Sequence, residues 1–403
     1  MDARFRQRYN AAYTDELYRS YLADFARNCR APIDMQIAQT PVFLPDGLRA
    51  RAQRAGDEIL AQLSDPARLE RMRAAVPERW NVPGQTPFPT FCVLDFAIVE
   101  DAAGEPDVKL IELQGFPTLI AYETAQRDAW NAALKSIPDL RLEWTCWFSG
   151  LTRATFLELA KRTILGERDR AHTILLDLDP PSQKTFPDFA ATRRFFGVEP
   201  VCPTTLIKRG RLLFRKDPAG RELPVERIYN RLIVDELERA NVALPFDLRD
   251  ELDVEWTPHP NWFWIWSKYS LPFLDHAAVP RATLLSELDR VPGDVTNCVL
   301  KPLFSFAGSG VNVAPTAAGV AAIPRERRGD WCLQEKIAYA PMLQAADGGG
   351  VKVELRLIYL RPDDAASFTL AQNLCRLSRG AMMGVDHNKQ HTWVGSSIGL
   401  WPA

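Results

Sequence analysis

The sequence predicts a mixed α/β protein (α+β in the arrangement of its segments) divided into two or three lobes. Its 403 residues exceed a typical domain of about 150 residues. Apolar residues make up 46% and charged residues 25%, the balance of a globular protein that buries a large core. The hydrophobic period changes along the chain from helical to strand-like, so helices and sheets both contribute to that core.

Helices are predicted near the start of the chain. Apolar residues recur three and four positions apart over residues 15–29 and 47–63. Thr14 and Asp46 stand close to the starts of these stretches and are plausible caps. We therefore expect residues 1–89 to form a helical cover over another part of the protein.

A β-hairpin is predicted next, where the period changes to two. Residues 90–100 and 107–114 are rich in β-forming residues. The segment between them contains Gly104 and Pro106, which favour a turn. Two helical stretches follow, so the hairpin and these helices form a predicted unit at residues 90–165.

A strand–helix–strand unit is predicted for the middle of the chain. Residues 172–181 and 198–203 are strand-like, and residues 186–196 between them are amphipathic. This unit belongs to a predicted domain at residues 166–257. The remaining residues, 258–403, are dominated by β-rich runs.

Composition narrows the classes of partner. The net charge is −2 and the pI is near 6.3, so no global field attracts nucleic acid or an anionic membrane. The seven cysteines are scattered without paired spacing, which indicates reduced thiols. No run approaches the roughly 20 apolar residues of a membrane span. We expect a soluble cytoplasmic protein, with no nucleic-acid or membrane partner.

A lysine followed by a small-residue loop is the sharpest chemical signal. Lys301 lies near the end of an apolar strand, and residues 305–310 read Ser-Phe-Ala-Gly-Ser-Gly. Glycines let backbone N–H groups approach anionic oxygens, serines add donors, and the lysine supplies a positive charge. The pattern favours phosphate binding, although a hairpin turn with a solvated lysine has the same appearance.

A second strand becomes polar near its end. Gln334, Glu335 and Lys336 precede Ile337. Main-chain groups at such an edge suit an adenine, and a carboxylate such as Glu335 or Glu354 suits ribose hydroxyls. A plain strand leaving the core is the alternative interpretation.

Three oxygen-bearing side chains are predicted to converge on the hairpin. Glu112 and Gln114 share one face of its second strand. Pairing about a turn near residue 104 would set Asp95 opposite residues 113–114. Carboxylate and amide oxygens suit Mg²⁺, so this trio is a candidate metal site, with a solvated outer face as the alternative.

These pieces resemble the ATP-grasp superfamily. Their order is similar to that of its circularly permuted branch, which includes glutathionylspermidine synthases. In that branch a hairpin with an Asp and an E-x-N-x-x-T/P type stretch precedes the pre-ATP-grasp βαβ domain, and the lysine and glycine-rich loop come near the end. Residues 259–274, with Lys268, are similar to the family's tryptophan-containing stretch. The resemblance spans residues 90–400.

The resemblance implies a permuted ATP-grasp fold with a pre-ATP-grasp βαβ domain and a helical N-terminal cover. Residues 258–403 would form the nucleotide-binding lobes, with ATP and Mg²⁺ as cofactors. Asp95, Glu112 and Gln114 stand where the family's magnesium ligands stand. The implied nucleotide-binding residues are Lys268, Lys301, Ser305, Gly308, Ser309, Gly310, Gln334, Glu335, Lys336 and Ile337.

The implied activity is that of an ATP-dependent ligase, which joins a small-molecule or peptide carboxylate to an amine through an acyl phosphate. The sequence departs from the family at Val93, where an arginine is usual, and at Gln114, where an asparagine is usual. Candidates to replace the missing guanidinium are Arg231, Arg356 and Arg376, because a fork of donors suits phosphate and carboxylate. A nucleotide-binding protein without ligase activity and a small-molecule kinase are the alternatives.

Overall fold

The computed structural model describes residues 1–305, 308–380, 383 and 388–403, without the side chain of Asp235. The helices are α1 (Ala3–Ala12), α2 (Asp15–Cys29), α3 (Asp46–Leu63), α4 (Pro66–Arg73), α5 (Ile120–Lys135), α6 (Arg153–Leu165), α7 (Phe186–Phe196), α8 (Val234–Ala240), α9 (Trp262–Ile265) and α10 (Ala317–Ala321). Across these ranges, no helix is long and apolar enough to cross a membrane.

Strands outnumber helices in the second half of the chain. The strands are β1 (Val42–Phe43), β2 (Phe91–Glu100), β3 (Pro106–Gln114), β4 (Trp144–Thr145), β5 (Thr173–Leu176), β6 (Glu199–Val201), β7 (Ile207–Arg209), β8 (Leu212–Lys216), β9 (Glu222–Val225), β10 (Arg227–Asn230), β11 (Glu255–Thr257), β12 (Ala282–Leu284), β13 (Cys298–Pro302), β14 (Trp331–Glu335), β15 (Leu343–Gln344), β16 (Gly350–Leu360), β17 (Thr369–Ser378), β18 (Gly395–Ser397) and β19 (Gly399–Pro402).

The largest sheet joins the early hairpin to the end of the chain. Its six strands include the path β18-β17-β16-β2-β3, and β15 pairs with β16. Strand β2 lies between β3 and β16, and every residue of β2 except Glu100 is buried. A strand enclosed in this way is nearly all apolar, as the sequence of β2 is. Asp95 is its one buried charge, and it therefore needs partners within the protein.

The predicted hairpin is confirmed, but its predicted register is wrong. Asp95 pairs with Glu112, and Gln114 pairs with Val93. The pairing shifts by one residue between Asp95 and Phe96, which is a bulge. Glu100 pairs with Pro106, so the hairpin is centred on residue 103 instead of 104, and the predicted partner of Asp95 therefore lay too late along β3. The bulge, which inserts an unpaired residue into one strand, moves the partner of Asp95 from Ile111 to Glu112 and so reduces the discrepancy.

The strand–helix–strand prediction is also confirmed. Strands β5 and β6 are parallel neighbours joined through α7, and the four-stranded parallel sheet has the order β11-β10-β5-β6. The connection through α7 provides the crossover that parallel neighbours need.

The N-terminal helices α2 and α3 occupy the predicted segments. The Thr14 side chain accepts a hydrogen bond from the Leu17 amide and caps α2. Asp46 does not cap α3, because Pro45 is the capping residue and makes no side-chain bond. Helix α2 packs against α5 and α7, whereas α3 packs on β3, so these helices cover the large sheet and its neighbours.

Two segments within the β-rich residues 258–403 are not strands. The aromatic segment at 259–274 forms the short helix α9 and a 3-10 turn, Lys268–Phe273. Residues 311–315 form no strand and contribute one isolated bridge, between Asn312 and Leu300. Strands β13 and β14 pair with each other and with β12 in a separate three-stranded sheet.

Candidate functional site

Two lysines and a glutamate from distant parts of the chain meet beside the large sheet. Lys301 of β13 donates from Nζ to the Ile111 carbonyl at 2.9 Å, across 190 residues of sequence. Its Nζ also donates to Gln334 Oε1 at 2.5 Å. Lys268 Nζ lies 3.7 Å from Glu112 Oε2. Lys301 thus joins the three-stranded sheet of β12, β14 and β13 to strand β3.

The protonation of this group follows from its burial and its neighbours. Burial by itself would raise the pKa of Glu112, but Lys268, Arg376, Arg356 and Lys301 together lower it to about 2. Glu112 is therefore ionised at neutral pH. Burial lowers the pKa of Lys301, and Glu112 opposes that effect.

Asp95 is enclosed by two arginines. Arg356 donates to both carboxylate oxygens, from Nε at 2.5 Å and from a terminal nitrogen at 2.6 Å. Arg376 donates to Oδ2 at 2.8 Å. Arg356 and Asp95 lie opposite each other on β16 and β2, so the sheet register itself sets this pairing. The other terminal nitrogen of Arg356 donates to Thr118 Oγ1 at 2.9 Å.

Glu354 extends the charged group along β16. It forms an ion pair with Arg376, and Tyr339 donates to its other oxygen at 3.0 Å. Burial raises the pKa of Glu354, although Arg376 acts in the opposite direction. Residues 354 and 356 share a face because strand side chains alternate, and the neighbouring strand brings Arg376 opposite Glu354.

A small cavity lies beside these charges, and we call it the Glu112 cavity. Its volume is about 30 Å³, which accommodates about one or two water molecules and no triphosphate. Lys268 Nζ donates to the Ser305 carbonyl at 2.6 Å across it. Its lining residues are Glu112, Leu113, Gln114, Phe116, Phe263, Trp266, Ser267, Lys268, Leu303, Phe304 and Ser305.

The three predicted magnesium ligands have different surroundings. Glu112 and Gln114 both line the Glu112 cavity, and a carboxylate and an amide oxygen there fit a hard cation. Asp95 does not line this cavity, and both its oxygens accept from arginines. Across the described ranges, no three His, Cys, Asp or Glu side chains form a group that could hold a metal.

The other predicted residues divide into two sets. Gln334 is buried beside Lys301, whereas Glu335 and Lys336 are exposed and Ile337 is half-buried. Arg231 does not join the Asp95 group, and instead forms a buried ion pair with Asp188.

The small-residue loop follows the strand that carries Lys301. Gly308 and Gly310 have positive φ angles of 75° and 73°, which glycine adopts without strain. Ser309 is exposed and Ser305 is half-buried. Residues 306 and 307 of the loop lie outside the described residues.

Sequence reasoning missed two participants in this charged group. Tyr339 follows the end of β14 without belonging to any motif, and Thr118 lies between β3 and α5. A weak signal was available for Thr118, because it follows Gln114 by four positions in a stretch already noted as family-like. No sequence signal singled out Tyr339.

Comparisons with known proteins identify a solved structure with a similar fold. No family model matches the sequence, and no curated protein matches it. The structure matches a glutathione synthetase-like effector from Globodera pallida, solved in its apo form, with a TM-score of 0.55 and 12% identity over 90% of this chain and 93% of that one. The chain shares the fold of this effector.

A second solved structure is less similar. It is described as a "putative gamma-glutamylcysteine synthetase" from Methylobacillus flagellatus KT and has a TM-score of 0.37 and 12% identity, over 88% of this chain and 87% of that one. That TM-score is too low to support an argument about fold. The shared synthetase-like fold therefore rests on the effector.

Proposed function

We propose that the protein is an ATP-dependent ligase of the ATP-grasp type, joining a small-molecule or peptide carboxylate to an amine. One observation carries the proposal: Lys301, Lys268 and Glu112 converge beside the loop that follows Leu303, although they come from segments far apart in sequence. Cations on one side and an ionised carboxylate on the other are what a metal-bound triphosphate requires. The synthetase-like fold supports the same class of reaction.

The proposed reaction has two steps. A carboxylate oxygen of the first substrate bonds to the γ-phosphorus of ATP, and the bond to the β-phosphate oxygen breaks to release ADP. The amine then attacks the acyl carbon of the resulting acyl phosphate, inorganic phosphate leaves, and the nitrogen loses a proton. No covalent bond to the protein forms, so positioning and charge neutralisation carry the catalysis.

The side chains of the site have distinct roles in this proposal. Lys268 and Lys301 neutralise phosphate charge. Glu112 and Gln114 would hold magnesium, which supplies further charge neutralisation when bound. Arg356 and Arg376 face developing negative charge, and Asp95 fixes their position.

Substrate entry requires a local rearrangement. The Glu112 cavity is too small for a triphosphate, and the Lys268–Ser305 hydrogen bond closes it. An incoming phosphate oxygen would replace the Ser305 carbonyl as the acceptor for Lys268. This exchange moves the loop rather than the sheet, because loops tolerate such change at lower cost than packed strands.

The test is phosphate release from ATP with magnesium, in the presence of mixtures of amino acids and polyamines. A ligase releases phosphate only when both an amine and a carboxylate are supplied. Lys301→Ala and Glu112→Ala should each abolish this release. Lys109→Ala is the matched control, because Lys109 lies on the same hairpin and donates to the Ala277 carbonyl, away from the site. Full activity in either site variant removes the assignment.

Two other functions predict different outcomes. A nucleotide-binding protein without ligase activity is favoured by the double pairing of Asp95, which engages Arg356 and Arg376 within the protein. It would show protection by ATP against heating and no release of phosphate. A small-molecule kinase would transfer phosphate to an acceptor without any dependence on an amine.

A further inference from the structure

A second and much larger cavity lies away from the Glu112 cavity, and we call it the Arg361 cavity. Its volume is about 810 Å³, and it shares no lining residue with the Glu112 cavity. The walls come from residues 82–90, the end of α6, strand β11 with the loop before it, and residues 361–364. Cavities of roughly 300–1,000 Å³ are the usual size for small-molecule sites.

One wall of the Arg361 cavity is rigid and apolar. Residues 82–90 contain Pro83, Pro87, Phe88 and Pro89, and all four line the cavity. Asn261 binds this segment at its start, accepting from the Val82 amide at 2.9 Å and donating to the Val82 carbonyl at 3.2 Å. A wall held in this way is formed before a ligand arrives, which lowers the cost of binding.

His259 holds the same wall, residues 82–90, in position. Burial lowers the pKa of His259 to about 4, so the ring is neutral at pH 7. Its Nε2 lies 3.0 Å from the Pro83 carbonyl, to which it donates. The histidine is therefore a structural support, and the wall needs no ligand to hold its position.

Most charges that line the cavity are already paired. Arg227 pairs with Glu255 and Asp363 at 2.9 and 2.8 Å. Arg162 pairs with Asp364 at 2.6 Å. Further pairs of the lining charges are Arg211–Glu251, Arg211–Asp253, Lys208–Asp250 and Arg168–Glu255. Glu167 also lines the cavity and is exposed, and it has no ion pair with any residue that the structure describes.

Arg361 differs from the other arginines of the cavity. Its Nε donates to the Ala365 carbonyl at 3.1 Å, and its guanidinium lies over the Phe88 ring at 4.6 Å from the centroid. Within the described ranges, no carboxylate lies within ion-pair distance of it. The backbone amide of Arg361 donates to the Thr90 carbonyl at 2.9 Å, so the residue is fixed at the end of β16. Its two terminal nitrogens remain available as donors.

We propose that the Arg361 cavity binds a small organic monocarboxylate with an apolar or aromatic body. The terminal nitrogens of Arg361 would donate to the two carboxylate oxygens, which the planar fork of a guanidinium matches. The body would lie against Phe88 and the prolines of residues 82–90. This site is independent of the proposed ligase reaction.

The lining charge selects a singly charged ligand over a phosphate. Six acidic residues and four arginines line the cavity. A multiply charged phosphate would meet repulsion from the acidic excess, whereas one carboxylate meets the guanidinium of Arg361, which has no ion pair among the described residues. The apolar wall gives no partner to the remaining oxygens of a phosphate.

The test is isothermal titration of the full chain with phenylacetate, phenylacetamide and inorganic phosphate. Phenylacetate should bind at least about tenfold more tightly than its neutral amide, because only the carboxylate forms charge-assisted bonds. Its affinity should fall as salt rises, and phosphate should not compete. Equal affinity for the acid and the amide, or displacement by phosphate, would overturn the proposal without any variant.

Two arginine variants then locate the site. Arg361→Gln should weaken phenylacetate binding about tenfold or more, while binding of the amide stays the same. Arg162→Gln is the matched control in the same cavity, and it should change the affinity by no more than about threefold because Arg162 is already paired. Near-ultraviolet circular dichroism confirms that each variant is folded. If Arg361→Gln does not fold, Arg361→Lys replaces it. Undiminished phenylacetate binding in that variant would overturn the proposal that both terminal nitrogens of Arg361 donate to the carboxylate.

Discussion

Replacement of Asp95 by asparagine tests the ionic centre of the large sheet. Asp95 is fully buried and accepts three hydrogen bonds, two from Arg356 and one from Arg376. The variant keeps the side-chain shape but removes the negative charge between two guanidinium groups. The carboxylates left near the two arginines would then be Glu354, which pairs with Arg376, and Glu112, which lies 4.0 Å from Arg356 and 3.9 Å from Arg376. Removing one partner of a buried ion pair costs about 3–5 kcal/mol, so we expect the free energy of unfolding to fall by that amount.

The metal-ligand interpretation of Asp95 predicts the opposite sign. If Asp95 were an open ligand without metal, its charge would repel Glu112 and Glu354, and Asp95→Asn would stabilise the metal-free protein. The assay is equilibrium urea unfolding followed by tryptophan fluorescence, in buffer with a chelator. The two interpretations therefore predict changes in the free energy of unfolding that differ in sign as well as in size.

The control is Asp347→Asn. Asp347 also forms a two-point pair with an arginine, Arg379, at 2.7 and 2.9 Å, but its side chain is 39% exposed. An exposed pair contributes about 1 kcal/mol or less, so this variant should unfold close to the wild type. If Asp95→Asn loses no more stability than Asp347→Asn does, the reasoning about the buried pair is refuted.

Two further predictions concern stability. Burial raises the pKa of Glu123 well above its ordinary value, with Asp188 adding to the effect, so the folded state keeps its proton at pH values where the unfolded chain releases it. The free energy of unfolding of the wild type should therefore fall as pH rises from about 4.5. Glu123→Gln should remove this contribution to the pH dependence, measured by urea unfolding at a series of pH values. The same pH dependence in the variant and the wild type would contradict the prediction. Gly56→Ala should destabilise by about 1–3 kcal/mol because its methyl group would collide with the Tyr359 hydroxyl, whereas Gly47→Ala in the same helix meets no atom and should be neutral or stabilising; equal melting temperatures would contradict the contact.

Local sequence patterns predicted the elements of the fold, but strand register and ion pairing depended on contacts between distant segments. Residues 186–196 form a helix with the predicted bounds because an amphipathic period needs only its own segment. The hairpin was found for the same reason. Its register at Asp95 was not, because Gly104 and Pro106 indicate a turn without fixing the residue on which the hairpin is centred, and because the bulge depends on how β2 fits between β3 and β16.

The candidate site shows the same division. Lys301, Lys268 and Glu112 could be selected by residue type and motif, and the structure brings them together. Arg356 and Arg376 were also selected by residue type, but their pairing with Asp95 was not predicted, because they follow it by more than 250 residues and only the sheet brings them beside it. Tyr339 and the Arg361 cavity also arise only where separate segments pack.

The amino-acid sequence by itself determined where helices and strands form and which charged side chains were available for chemistry, because those properties depend on neighbours within a few residues. Tertiary structure alone decided which charges neutralise one another. A buried carboxylate must find its cations among whatever the sheet places opposite it, and that placement is a property of the assembled sheet. For this reason Asp95, chosen as a metal ligand from its motif, lies between two arginines.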